Sequence, residues 1–261
     1  AAAADADAGL KPSGIDGVLC AYSFAEPHLM LASVFCEYFG IQPAYSAAIH
    51  AGGATGCIMA MQAAALVEAG ICRHVLVVAG DNRLSGLSRD KAVATLADVG
   101  HPQFERPFGV TIPALYGLVA QAYMHEYGAT PEHMAAMAVN SRTHAARNPK
   151  AQMRKPITVS DVLASRFIAE PLRLLDCCLI SDGGAALVVS AADAARDTAK
   201  HGVAMLGTGQ KNTHEHLVAA PSLTAFGCRD SAAQAFSRAG VKPTDIDVAE
   251  IYDSFTITLL V

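Results

Sequence analysis

Apolar and polar positions alternate along this chain in blocks that switch between a period near 3.6 and short continuous apolar runs. Helices are expected over Leu29–Phe39, about Ala54–Ala69, Leu115–Tyr127 and Glu132–Arg147, with another starting over Asp161–Ala164. Buried strands are expected over Ala44–His50, His74–Ala79 and Ala185–Ser190. Pro and basic residues break the pattern over Asn148–Pro156. A polar helix over about Ala191–His201 leads into Val203–Gly209, which reads as the first strand of a second half. Strands alternating with helices imply a mostly parallel sheet covered on both faces.

The chain also resembles itself. Ala8–Phe24 aligns without gaps on Ala239–Phe255, with eight of seventeen positions identical. Each copy reads as an alanine-rich helix stopped by Gly, a Lys-Pro turn and an apolar run expected as a buried strand. Such self-similarity implies two related α/β halves. The expected division is an N-terminal half over 1–195, with a loop subdomain at about 82–175, and the start of a C-terminal half over 196–261. No strand precedes Ala1 to match Val203–Gly209, and the chain closes inside the apolar run Thr256–Val261. The first half is thus expected to lack its opening strand, and the second to be truncated.

Composition narrows the class. The chain has 261 residues, 52% of them hydrophobic and 16% charged, which suits a large packed core. A formal net charge of -5 carries no footprint for nucleic acid, and no apolar run reaches the ~20 residues that span a bilayer. Seven scattered cysteines without a C-x-x-C pair suit reduced, buried thiols in a cytoplasmic protein. There is no initiator methionine and no signal-peptide pattern.

The strand Ala44–His50 runs into the small-residue turn Ala51-Gly52-Gly53-Ala54-Thr55-Gly56 and then a helix. Small residues let backbone approach a ligand, and a helix N-terminus offers N–H groups to a thioester oxygen or phosphate. A tight packing turn produces the same pattern. His50 just before the turn is expected to be a satisfied core histidine rather than a ligand contact, and His101 is a loop residue able to line a pocket mouth. His125, on a helix with Glu126, reads as surface or interface. His214 and His216 lack a third ligand at a recognisable spacing, so metal binding is not expected. The basic run Arg142–Lys155 is able to receive phosphates, although solvated loop cations are the commoner case.

The order of motifs is similar to that of the thiolase superfamily, in its sterol-carrier-protein branch. After the elbow come Gly100-His-Pro-x-Phe104, Met124-His-Glu-Tyr-Gly128, Leu175-Asp-Cys-Cys178, Ser181-Asp-Gly-Gly-Ala185 and Glu250-Ile-Tyr-Asp-Ser-Phe255. The resemblance implies a thiolase fold, an α/β architecture of two βαβαβαββ halves in a five-layer αβαβα sandwich. It further implies a homodimer, acyl-CoA substrates, coenzyme A only as part of the substrate, and no covalently bound cofactor.

Two departures redirect the chemistry that the resemblance implies. Thiolases of this branch carry Asn-Cys-x-Thr-Gly at the elbow; aligning Thr55-Gly56 puts Gly53 where the nucleophilic cysteine stands. Cys57 lies a full helical turn further on. At Tyr252 thiolases carry Asn or His. A tyrosine hydroxyl donates a hydrogen bond or, with a lowered pKa, accepts a proton. Losing the cysteine while gaining a tyrosine resembles the steroid side-chain aldolases, which split β-hydroxyacyl-CoA by a retro-aldol step. The resemblance therefore implies Tyr252 as proton acceptor, with Gly53 and its neighbours as oxyanion donors and His50 beside them. Gly52, Thr55, Gly56, His101 and Asp253 are the expected substrate-contacting residues. By strand alternation Asp253 should point away from Tyr252. Aldolases of this kind often need a small OB-fold partner of DUF35 architecture. The alternatives are an acetyl-CoA acyltransferase and a non-catalytic acyl-CoA or lipid-binding protein.

Overall fold

A computed structural model describes residues 1–195 and 202–261. The chain divides into two compact units. One comprises 1–88, 180–208 and 234–241; the other comprises 89–179, 209–233 and 242–261.

The first unit opens with α1 (Ala2–Asp7), β1 (Gly17–Ala21), α2 (Leu31–Phe39) and β2 (Tyr45–Ile49), followed by α3 (Thr55–Glu68) and β3 (His74–Asn82). Its sheet has the order β2-β1-β3-β6, where β6 is Asp182–Ser190. β1 pairs in parallel with β2 and β3, while β6 runs antiparallel to β3 over nine residue pairs from His74↔Ser190 to Asn82↔Asp182. That long antiparallel ladder carries β3 three residues beyond the expected end at Ala79, because each added residue finds a partner on β6.

Strand alternation builds two cores from the same two central strands. Val18, Cys20 and Leu76 pack with Ala32 and Cys36 of α2 and with Ala1 and Ala4. Leu19, Val75 and Val77 pack on the opposite face with Met59, Ala63 and Leu66 of α3. The helices end where left-handed backbone is needed: α2 stops at Gly40 (φ +66°), and Gly70 (φ +68°) follows α3.

In the second unit, α4 (Arg89–Ala97) precedes α5 (Ile112–Tyr127), α6 (Pro131–Arg147) and α7 (Val159–Ala164). A short antiparallel pair follows, β4 (Phe167–Ala169) and β5 (Leu172–Arg173). Thr158 and Asp161 cap α7 reciprocally: the Thr158 hydroxyl accepts from the Asp161 amide at 3.1 Å, and the Asp161 carboxylate accepts from the Thr158 amide at 2.8 Å. The core here joins Val119 and Ala120 of α5, Met134 of α6, Leu172, Phe255 and Ile257.

Several expectations need correction. Val203–Gly209 forms no strand. Its backbone lies against the end of α9 (Cys228–Ala239) instead: a Cβ on Gly207 would collide with the Ala235 carbonyl, and Arg238 donates to the Thr208 carbonyl at 2.9 Å. The duplicated segment is equally uneven. Both copies have the helix, the left-handed glycine (Gly9 and Gly240, each φ +69°) and a 3-10 turn after Lys-Pro. Only the first continues into a ladder. Residues 247–253 pair with no strand, and Val248, Ile251 and Tyr252 stay exposed. The expected helix over Ala191–His201 is seen as α8 (Ala192–Ala195), and the rest lies outside the described residues. Helix α4 and the β4/β5 pair carry no period strong enough to have been anticipated.

Cysteine burial is also less uniform than expected. Cys20, Cys36 and Cys72 are buried, Cys177 is half-buried, and Cys57, Cys178 and Cys228 are exposed; none forms a disulfide.

Two measurements test this architecture. Leu19→Ala removes a wholly buried side chain and is expected to cost about 2–5 kcal/mol, whereas Leu29→Ala, at a position 96% exposed, is expected to stay within about 0.5 kcal/mol in urea denaturation. Burial, with Cys36 nearby, pushes the Cys20 thiol up to about 12, so it stays protonated at pH 8. Alkylation followed by peptide mass mapping is therefore expected to modify Cys57 and Cys228 in the native protein and Cys20 only after denaturation.

Candidate active site

The elbow joins β2 to α3 in the first unit. Residues Gly52–Ala54 form one 3-10 turn that passes directly into α3, and Gly52 takes φ +56°, a region open to glycine at little cost. Thr55 is buried and locks the turn: its Oγ1 accepts from the Ala51 amide at 3.1 Å and donates to the Gly52 carbonyl at 2.7 Å. Its hydroxyl is thus used by backbone, while Gly52, Gly53 and Gly56 are exposed. Among the described residues, no backbone acceptor pairs with the Gly52 or Gly53 amide. Amides opening a helix end in this way suit an anionic oxygen. Cys57 is exposed on the first turn of α3.

His50 is not the core histidine expected. It is exposed, and its ring stacks on Tyr22 with centroids 5.1 Å apart. Tyr22 and His50 line a cleft of about 310 Å³ together with Ser23, Pro27, His28 and Leu31. An adjoining cleft of about 410 Å³ lies along Cys20, Ala21, Leu31, Phe35, Val78 and Asp81. The loop bordering both clefts is organised by Asp81, near the end of β3. Its carboxylate accepts from Ser23 Oγ and the Phe24 amide at 2.9 Å, from the Ala25 amide at 3.3 Å and from Arg83 Nε at 3.0 Å. Burial alone would raise the Asp81 carboxyl; these hydrogen bonds outweigh it and hold the group below the usual carboxylate range. Arg83 also lies over the Phe24 ring at 4.1 Å. Nothing in the local sequence singled out Asp81, because the loop residues it holds lie more than fifty positions away.

The second unit holds the other three expected residues. Tyr252 is 64% exposed. The chain immediately after it is held residue by residue. Asp253 accepts from Ser141 Oγ on α6 at 3.1 Å. The Ser254 carbonyl accepts from the Cys178 amide at 3.0 Å. Phe255 bridges to Cys177 and stacks on Tyr116 of α5 at 4.4 Å. Thr256 donates to Asp176 Oδ1 at 2.9 Å, and both residues are buried. Since no strand forms through Tyr252, the alternation placing Asp253 on the opposite face does not apply. The Cys177 thiol rises to about 12, by burial first and then by Asp176 and Cys178.

His101 belongs to a separate cluster. Its amide donates to Glu105 Oε2 at 2.6 Å, its Nδ1 accepts from the Gln103 amide at 3.2 Å, and its ring meets that of His216 edge-on at 4.9 Å. Glu105 is buried and also accepts from the Val218 amide at 2.8 Å. Burial would raise its carboxyl, but the two amides and the His216 and His101 rings prevail and lower it. Among the described residues, no group of three metal-ligating side chains converges. In the basic run, Arg142 donates to the Lys155 carbonyl at 2.9 Å, while Arg147, Lys150, Arg154 and Lys155 are exposed.

Comparison with known proteins places this architecture. The family model described as "Thiolase, N-terminal domain" matches residues 2–193, and "Thiolase C-terminal domain-like" matches residues 209–261. A steroid side-chain-cleaving aldolase of Thermomonospora curvata is 35% identical over 99% of this chain and 68% of its own length. An acetyl-CoA acetyltransferase of Methanothermobacter thermautotrophicus is 31% identical over 96% of this chain and 66% of its own. The solved structure of the Ltp2-ChsH2(DUF35) aldolase superposes with a TM-score of 0.85 at 36% identity, covering 99% of this chain and 67% of that one. This chain thus spans about two thirds of the length of the relatives it matches. Together with the order of its motifs, these matches make the chain a thiolase-fold member of the thiolase superfamily, on the sterol-carrier-protein branch.

Proposed function

We propose that this protein cleaves a β-hydroxyacyl-CoA by a retro-aldol step, with Tyr252 as the base and without a cysteine nucleophile. The observation that carries the reading is the elbow without a thiol: residues 50–56 read His-Ala-Gly-Gly-Ala-Thr-Gly. Covalent thiolysis requires a thiolate beside a base. The cysteine nearest to the elbow, Cys57, sits on α3 rather than in the turn. The 35% identity to a steroid side-chain-cleaving aldolase supports the same reading.

The steps balance without a covalent intermediate. The Tyr252 oxygen takes the proton of the substrate β-hydroxyl, the Cα–Cβ bond breaks, and its electron pair moves into the thioester as an enolate. The carbinol carbon leaves as a ketone or aldehyde, and return of the proton from Tyr252 to Cα gives acetyl- or propionyl-CoA and restores the phenolate that acts as the base. Amides of the Gly52–Gly53 turn are the proposed donors to the enolate oxygen, in the manner of an oxyanion hole. The exposed cations Arg147, Lys150, Arg154 and Lys155 are proposed to meet the CoA phosphates. Coenzyme A enters only as part of the substrate. By similarity to the solved Ltp2-ChsH2(DUF35) aldolase, a DUF35 OB-fold protein is the proposed partner, alongside a second copy of this chain.

Thiolysis is the second reading, favoured by the acetyltransferase relative and by the exposure of Cys57. Assays of the protein with its co-purifying partner separate the two. Tyr252→Phe is expected to lower kcat for β-hydroxyacyl-CoA cleavage by about 10²-fold or more, the range of a lost general base. Cys57→Ala is expected to stay within about twofold. Intact-mass measurement after incubation with acetoacetyl-CoA is expected to show no acetyl adduct. An acetyl adduct on a cysteine would transfer the assignment to thiolysis, and a Tyr252→Phe variant as fast as the parent would overturn Tyr252 as the base.

A further inference from the structure

The geometry points to the buried Asp176–Thr256 pair as a positioning device that fixes where the Tyr252 hydroxyl stands. This inference rests on the reading of Tyr252 as the base. Asp176 is 4% exposed and Thr256 7% exposed, yet they meet through a 2.9 Å hydrogen bond between positions 80 residues apart. The second carboxylate oxygen of Asp176 is used as well, accepting from the Arg173 amide at 2.9 Å. One side chain thereby ties the turn Leu174–Asp176 to the segment that carries Tyr252.

A buried carboxylate is a costly way to stabilise a contact, since a pair of apolar side chains would hold the segment at lower desolvation cost. What the polar pair adds is register. The neighbouring backbone attachment is one isolated bridge, Cys177 to Phe255, through the Cys178 amide and the Ser254 carbonyl. Extended backbone advances about 3.3 Å per residue, and side-chain direction repeats every two residues. A slip of one repeat would carry Tyr252 about 7 Å along the segment. The aromatic contact of Phe255 with Tyr116 tolerates displacement, because ring stacking is broad in geometry. A directional hydrogen bond to a buried charge does not. Asp253, held by Ser141, fixes the residue next to Tyr252 on the clamp side. Displacement of a reacting group by an ångström costs up to about 10²-fold in rate, so a clamp of this kind shows in kcat.

The test uses Thr256→Val, which keeps the shape and removes the hydroxyl, and Thr256→Ser, which restores it. Both are measured in the full-length protein with its co-purifying partner, in the parent and in a Tyr252→Phe background. The expected result for Thr256→Val is a fall in kcat of about 10-fold to 10²-fold with KM within about twofold, recovery with Thr256→Ser, and no further loss in the Tyr252→Phe background. If Thr256→Val does not fold, Asp176→Asn serves instead; it keeps volume but removes charge from both hydrogen bonds, and the same pattern is expected. A second readout needs no turnover. With 3-fluorotyrosine incorporated, the fluorine resonance assigned to Tyr252 is expected to shift or broaden in the valine variant and to recover in the serine variant. Equal slowing in both backgrounds, or an unchanged kcat in a folded Thr256→Val variant while Tyr252→Phe remains slow, overturns the clamp and leaves the base reading intact. A fast Tyr252→Phe variant removes the base reading itself, and the clamp with it.

Discussion

The position of β3 between β1 and β6 is the constraint from which the first unit follows. Its backbone is paired on both sides, in parallel with β1 and antiparallel with β6, so its donors and acceptors are satisfied without water. With register fixed on both edges, side-chain direction is no longer free. Leu76 goes to the face covered by α1 and α2, and Val75 and Val77 go to the face covered by α3. A one-residue slip would exchange those faces and expose both cores. The elbow inherits this order, because β2 is held in register along β1 and delivers residue 50 and the turn that follows at the end of the parallel strands. Asp81 inherits it as well: the last residues of β3 aim one carboxylate at the loop that begins at Tyr22 and hold that loop with three hydrogen bonds.

The second unit solves a different problem. The segment after Tyr252 gains little from a ladder, so its position depends on side chains drawn from three places. α5 supplies Tyr116, α6 supplies Ser141, and the turn before Cys177 supplies Asp176. Such contacts are individually modest, and buried polar ones become worthwhile when all partners are satisfied at once. The Asp176 oxygens meet that condition, with one on a hydroxyl and one on an amide.

Local periodicity made the first sheet legible and left the second unit's attachments hidden, for reasons that lie in particular residues. β2 and the helices α2, α3, α5 and α6 were within two or three residues of expectation, since their caps and apolar stripes are written within single segments: Gly40 ends α2, and Thr111 with Pro113 starts α5. The repeat at Ala239–Phe255 was legible as sequence but misleading as structure. Its helix, glycine and 3-10 turn are local and persist in both copies, whereas a strand exists only where a neighbour pairs with it, and residues 247–253 have none. The same reason explains Val203–Gly209, whose apolar character did not supply a ladder partner. His50 illustrates the limit for a single side chain: its place just before a small-residue turn was readable, but its stacking on Tyr22 depends on a loop shaped by Asp81. Long-range pairs such as Asp176 with Thr256 leave no period and no motif of their own.

The chemistry of the elbow rests on what glycine does there. A cysteine at position 53 would place a nucleophile over amides that then stabilise a covalent tetrahedral intermediate. A glycine keeps the amides and removes the nucleophile, so on the proposed reading the turn serves to receive an oxygen that becomes negative. Gly52 at φ +56° and the Thr55 hydroxyl between the Ala51 amide and the Gly52 carbonyl hold that turn in place without any contribution from a side chain at position 53. An enolate released from a thioester has the charge such a turn receives, and its formation needs a base but no acyl-enzyme. In the proposed reaction the missing thiol and the Tyr252 phenol are complementary: with no cysteine nucleophile at the elbow, bond cleavage starts from proton removal, and the tyrosine oxygen is the group proposed to accept that proton.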